Sequence, residues 1–177
     1  MEIYFIRHTS VAVPKGICYG DTDVPLNPTF ESEALVVKQK LDGIMFDKVY
    51  TSPLTRAKRL ASYCGYSEAH PDARLREFNF GEWEMQEYNT LYVEDVRFKQ
   101  WCEDYVNLHA PGGECLLDLL SRVNSFIDDM FLSGNDRIAA FCHGGIIAAA
   151  MLRKGQTTYQ NAFSDVPPYG SVVSFEF

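Results

Sequence analysis

Two runs with almost no polar side chains, residues 2–6 and 137–142, constrain this chain more than any other feature. Runs this short and this continuous fit strands buried on both faces, the pattern of parallel strands covered by helices. Residues 47–51 form another short strand, and 171–177 alternate as a closing one. Helical signals fill the intervals. Asn27-Pro28-Thr29 reads as a helix start, with Leu35, Val36, Lys40 and Leu41 on a helix ending near Gly43. Ser52-Pro53 reads as an N-cap hydroxyl followed by proline at the first helical position, with the helix running to Cys64 before Gly65. Leu116, Leu119, Leu120, Val123, Phe126, Ile127, Met130 and Phe131 recur at helical spacing. Parts of 85–107 and an apolar stretch over 146–154 read as further helices, 66–83 as irregular with at most a short strand, and 11–28 as a long loop. Strands alternating with helices imply an α/β chain, a three-layer α/β/α sandwich with a largely parallel central sheet, as one domain over 1–177.

In such sheets, ligands gather beyond the carboxyl ends of the strands. Arg7 and His8 directly follow the first strand, Ser52 and Arg56 the strand 47–51, and His143 the strand 137–142. Two arginines and two histidines at one rim stand out in a chain of net charge −8. Forked guanidinium groups match phosphate oxygens two at a time, so the set points to a small phosphorylated metabolite. The acidic balance disfavours nucleic acid and anionic lipid as partners. No apolar run reaches the roughly 18 residues of a membrane span, and the N-terminal run stops at Arg7 without the basic leader of a signal peptide. The five cysteines show no C-x-x-C pair, which fits reduced thiols and a cytoplasmic location.

Each of these residues has a plainer reading. Arg56 falls in the first turn of its helix, where a cation opposes the helix dipole. An anion at that helix end would account for it, and so would a side chain curling into solvent. Two glycines after His143 let backbone approach a ligand, yet an isolated histidine could equally be satisfied in a core. His8 could be nucleophile, base, metal ligand or structural residue. A metal site would call for carboxylates or cysteines in ligand spacing, whereas arginines repel cations. No G-x-S-x-G elbow, C-x5-R loop or G-x-x-x-x-G-K-[ST] loop occurs.

Ile6-Arg7-His8-Thr9, Ser52-Pro53-Leu54-Thr55-Arg56-Ala57, Leu75-Arg76-Glu77-Phe78-Asn79-Phe80-Gly81-Glu82-Trp83-Glu84 and His143-Gly144 occur in that order. Together they resemble the histidine phosphatase superfamily, with its phosphoglycerate-mutase-like fold. The resemblance implies a phosphoric monoester hydrolase that uses no metal and no cofactor. It implies His8 as the phosphorylated nucleophile, and Arg7, Arg56 and His143 as the clamp on the phosphoryl oxygens, with Thr9, Ser52 and Gly144 as further phosphate contacts. Glu77 would be general acid and then base, with Glu82 and Glu84 as rival carboxylates. Within the family, Cys18-Tyr19-Gly20-Asp21-Thr22-Asp23-Val24-Pro25-Leu26, the stretch Phe80-Gly81-Glu82-Trp83-Glu84-Met85 and Trp101 resemble the α-ribazole phosphatases of cobalamin nucleotide-loop assembly. Tyr19, Trp83, Tyr88 and Trp101 would then line an aromatic pocket, or else pack ordinarily.

The chain departs from the family at two places. Thr9 stands where Arg-His-Gly is usual, and Pro14 where many members carry a phosphate-binding asparagine. These departures leave open a module that binds phospho-ligands without turnover. The same motifs would also suit a broad-specificity phosphatase or a phosphoglycerate-type mutase, though the chain is short for the insertions that shape a mutase site.

Overall fold

The computed structural model describes residues 1–177. Residues 2–6 form β1 (Glu2–Arg7), extended by one residue into the arginine. After the loop 8–29 comes α1 (Phe30–Lys40), then β2 (Lys48–Thr51) and α2 (Thr55–Tyr63). The irregular stretch contains β3 (His70–Pro71) and two one-turn 3-10 helices, Ala73–Leu75 and Gly81–Trp83. Two short helices, α3 (Tyr88–Glu94) and α4 (Val96–Glu103), precede the long α5 (Leu116–Leu132). The chain closes with β4 (Arg137–Cys142), α6 (Gly144–Arg153) and β5 (Val172–Glu176).

The sheet runs β3-β2-β4-β1-β5, parallel throughout except for the antiparallel edge strand β5. Strand periodicity divides the core. Ile3, Phe5, Ile138, Ala140 and Cys142 face a cluster that includes α5 and α6. Ile6, Ala139 and Phe141 face a second cluster built with α1 and α2. Helices on both faces of a mostly parallel sheet make the α/β/α sandwich.

One helix starts later than its sequence reading, and another shows which of its faces it buries. The buried face of α1 is Phe30, Ala34 and Val37, while Leu35 and Val36 are half exposed. The α2 helix begins at Thr55 rather than at Pro53. Its free amides are met from a distance: the Asp23 carboxylate accepts from Thr55 N at 3.0 Å and also from the Thr55 hydroxyl. The Ser52 hydroxyl accepts only from Leu54 N, at 3.3 Å, just ahead of the helix, and its proton remains for another partner.

Register sets the functional rim. Arg7 pairs with Cys142 across β1 and β4, and Thr51 pairs with Phe141 across β2 and β4. The next residues, His8, His143 and Ser52, therefore emerge at one level. Backbone bonds hold that alignment: His8 N donates to Cys142 O at 3.1 Å, and Ser52 N to Phe141 O at 2.8 Å. No helix is long and apolar enough to cross a membrane.

Candidate active site

His8 and His143 are buried side by side, with ring centroids 5.1 Å apart. His8 Nδ1 lies 2.7 Å from the carbonyl oxygen of Thr9. A carbonyl can only accept, so Nδ1 carries the proton and Nε2 keeps its lone pair. Burial and then the Arg56 charge hold the His8 pKa well below the ordinary imidazole range, outweighing the Thr9 bond, and Arg7 adds to the depression. His8 is thus neutral at physiological pH. His143 is held down by the same leading causes, burial and Arg56, followed by His8. Its Nε2 lies 2.7 Å from Ser52 Oγ, and its Nδ1 is buried without a partner.

Carboxylate charge reaches Arg56 only at a distance, from Glu77 first and then from Asp23 and Glu84. Arg56 is fully buried and donates to the carbonyl oxygens of Thr22, at 2.9 Å, and Gly20. Arg7 donates to Pro167 O and lies 4.2 Å from the centroid of the Tyr169 ring. Neither forms an ion pair, and the Nε of each is buried without an acceptor. At Arg56 the charge is kept from water without an ion-pair partner, which is costly unless an anion arrives, while Arg7 is partly exposed. The hydroxyl of Thr9 is likewise buried and unpartnered.

Glu77 approaches from the segment after β3. Its carboxylate accepts from Gly145 N at 3.0 and 3.2 Å and from Phe78 N at 2.9 Å, which anchors it at the N-terminus of α6. The absence of a Cβ at 145 gives the carboxylate its place: a Cβ there would stand 2.4 Å from Glu77 Oε1. At Gly144, a Cβ would meet Val166 at 2.3 Å and crowd the Arg7 guanidinium at 3.1 Å. Gly144 therefore leaves room for the Arg7 side chain.

Arg7, His8, Glu77 and Gly145 open into a cavity of about 730 Å³, within the usual size of a small-ligand site. Its remaining wall is largely aromatic and includes Tyr19, Phe78, Phe80, Tyr88, Trp101 and Phe163. Tyr19 and Tyr169 hydrogen-bond through their hydroxyls beside His8, whose ring is 5.4 Å from that of Tyr169.

Two expected site residues lie elsewhere. Glu82 is exposed and pairs with Arg97 at 3.2 Å, turned away from the cavity. Trp83 is fully buried in the core, with Nε1 donating to Asp95 at 3.0 Å and its ring 5.0 Å from Phe98. Both follow from the 3-10 turn Gly81–Trp83, which sends adjacent residues to opposite sides. The rival carboxylate Glu84 is consumed by backbone: it accepts from Gly20, Asp21, Thr22 and Phe80 amides at 3.0–3.2 Å, closing the loop that holds Arg56. Pro14 is exposed and makes no site contact. Tyr169, Tyr105 and Phe163 are additional neighbours that no local motif announces.

Burial raises the thiol pKa of Cys18 to about 12 and also raises that of Cys142, so neither offers a thiolate near the imidazoles. One cluster has metal-ligand chemistry, His109, Cys115 and Asp118, with donor atoms within 4.8 Å of one another. It lies at the start of α5, where a His109–Asp118 contact of 2.7 Å and a Cys115–Asp118 capping box account for its bonds.

The family model of the histidine phosphatase superfamily (branch 1) matches residues 3–177. The chain belongs to that superfamily. As a member it is a phosphatase, an enzyme of the hydrolase class. The adenosylcobalamin/α-ribazole phosphatase of Salmonella typhimurium is 29% identical over 160 residues, covering 86% of this chain and 79% of the relative. Phosphoserine phosphatase 1 of Hydrogenobacter thermophilus is 27% identical over 137 residues, covering 73% and 64%. The α-ribazole phosphatase structure from Shigella flexneri superposes with a TM-score of 0.88 at 24% identity, covering 99% of this chain and 90% of that one, a likeness of fold.

Proposed function

We propose that this histidine phosphatase hydrolyses α-ribazole 5′-phosphate, through a phosphohistidine on His8 and without a metal ion. The observation that carries the reading is the pair of arginines, each without an ion-pair partner and with its Nε unmet, beside a neutral, tautomer-fixed imidazole. A phosphoryl group supplies the missing negative charge. His8 Nε2 attacks phosphorus, the P–O ester bond breaks, and its electrons go to the leaving oxygen. Glu77 gives that oxygen a proton and then takes one from the attacking water; cleavage of the N–P bond returns the electron pair to His8. Arg7, Arg56 and His143 hold the equatorial oxygens as charge spreads over them, with Ser52 fixing His143.

The substrate assignment rests on the aromatic wall. A planar nitrogen heterocycle with its ribose and phosphate matches a cavity that Arg7 and His8 line together with aromatic stacking faces. The Salmonella relative's name points the same way. Comparison of kcat/KM for α-ribazole 5′-phosphate, phosphoserine and 3-phosphoglycerate, with and without EDTA, tests the reading. We expect a preference for the first of at least about tenfold, roughly 1.4 kcal/mol of transition-state discrimination, with inorganic phosphate as product and no effect of EDTA. A smaller preference makes the enzyme a generalist, phosphate moved to a second position of the glycerate makes it a mutase, and loss of activity in EDTA ends the metal-free mechanism.

Gly145→Ala tests the anchoring of Glu77. The added methyl displaces its carboxylate, and misplacement by about 1 Å costs on the order of 10²-fold in rate. We expect kcat to fall on that scale while circular dichroism shows the native fold. Wild-type kcat would mean that the Glu77 position is unimportant.

A further inference from the structure

Arg122 lies on α5, outside the cavity, and both of its terminal nitrogens donate to the segment that carries Glu77. One terminal nitrogen donates to the carbonyl oxygens of Arg74, at 2.7 Å, and Arg76, at 2.6 Å. The other donates to Glu77 O at 3.0 Å and to Glu114 Oε2 at 3.0 Å, and Nε pairs with Glu114 Oε1 at 2.7 Å. Glu114 in turn accepts from Asn79 N at 3.0 Å, while its own amide donates to Asn79 O at 2.9 Å. The pair therefore grips the backbone on both sides of Glu77, from 74 to 79.

An exposed ion pair of this kind would contribute little. This pair is about one-fifth exposed, at 18% and 20%, and each partner also bonds the backbone of the same irregular segment. Apart from one 3-10 turn, nothing regular holds that segment. The Glu77 carboxylate is fixed separately, at Gly145 N. The side chain is thus tethered to α6 and its main chain to α5.

We propose that Arg122 and Glu114 are positioning residues that set the Glu77 carboxylate for proton transfer. The inference rests on the reading of Glu77 as the proton donor. Lysine at 122 could keep the charge and meet one acceptor, but it has no planar fork to serve three carbonyls and a carboxylate.

The test is the leaving-group dependence of kcat/KM. p-Nitrophenolate departs without a proton, whereas an alkoxide needs one, so a misplaced acid harms alkyl phosphates selectively. A lower folded fraction would reduce both rates equally. We expect Arg122→Lys to lower kcat/KM for an alkyl phosphate at least about tenfold more than for p-nitrophenyl phosphate, with Glu77→Gln showing the same selectivity more strongly. Should Arg122→Lys fail to fold, Glu114→Gln reads the same ratio, because the amide nitrogen cannot accept from Arg122 and Asn79. Equal falls on both substrates, with Glu77→Gln selective, overturn the inference and leave the role of Glu77 standing. A Glu77→Gln enzyme with no selectivity overturns that role, and the inference with it.

Discussion

His8→Ala eliminates turnover, by about 10⁴-fold or more, the scale on which loss of a covalent nucleophile registers. The reason lies in how little else could replace it. The nearby thiols are raised by burial and Nε2 of His143 is occupied by Ser52, which leaves His143 Nδ1 as the one alternative. Arg7 and Arg56 remain, and the variant should still bind inorganic phosphate with near-native affinity by calorimetry. Binding kept while turnover is lost separates the covalent role from a charge role. Turnover within about tenfold of wild type would remove His8 from the chemistry.

Arg56→Met should have the second-largest effect, and it should divide activity from stability. The guanidinium is fully buried, bonded only to two carbonyl oxygens of the 20–22 loop, and faces two imidazoles without an ion-pair partner. Methionine fills similar volume; it removes an unpaired buried charge but leaves the Thr22 and Gly20 carbonyl oxygens without that donor. These opposed effects should leave the melting temperature nearly unchanged, while kcat/KM falls by about 10²–10³-fold, as when a donor to transition-state charge is removed. A fall in both, with activity recovered at lower temperature, would make Arg56 a structural residue.

How much of this can be read from the chain depends on the range of the physics. Residues 2–6 and 137–142 announce strands because two-sided burial forces nearly every side chain to be apolar. The residue that follows each is then at a strand end, which brings His8 and His143 to one rim. Periodicity marks α5 for the same reason. What fails to show is what non-local partners decide. Ser52-Pro53 looks like a cap, yet Asp23, 32 residues earlier, takes over that task. Leu35 and Val36 mark the helix, but which face it buries, Phe30, Ala34 and Val37, is set by the packing. Glu82 and Trp83 sit inside a family motif beside Glu77, and a single 3-10 turn points them away. Arg122 and Tyr169 carry no local signature at all, since one acts on carbonyls some 45 residues away and the other stacks on Arg7 from the far end of the chain.

Rapid quenching during turnover of a ³²P-labelled phosphomonoester, followed by peptide mapping, bears most directly on the chemistry. Label should appear on the peptide containing residue 8, be lost in acid and survive base, and be missing from the alanine variant. Turnover without any trapped label, or label held on Ser52 or His143, would contradict the phosphohistidine route.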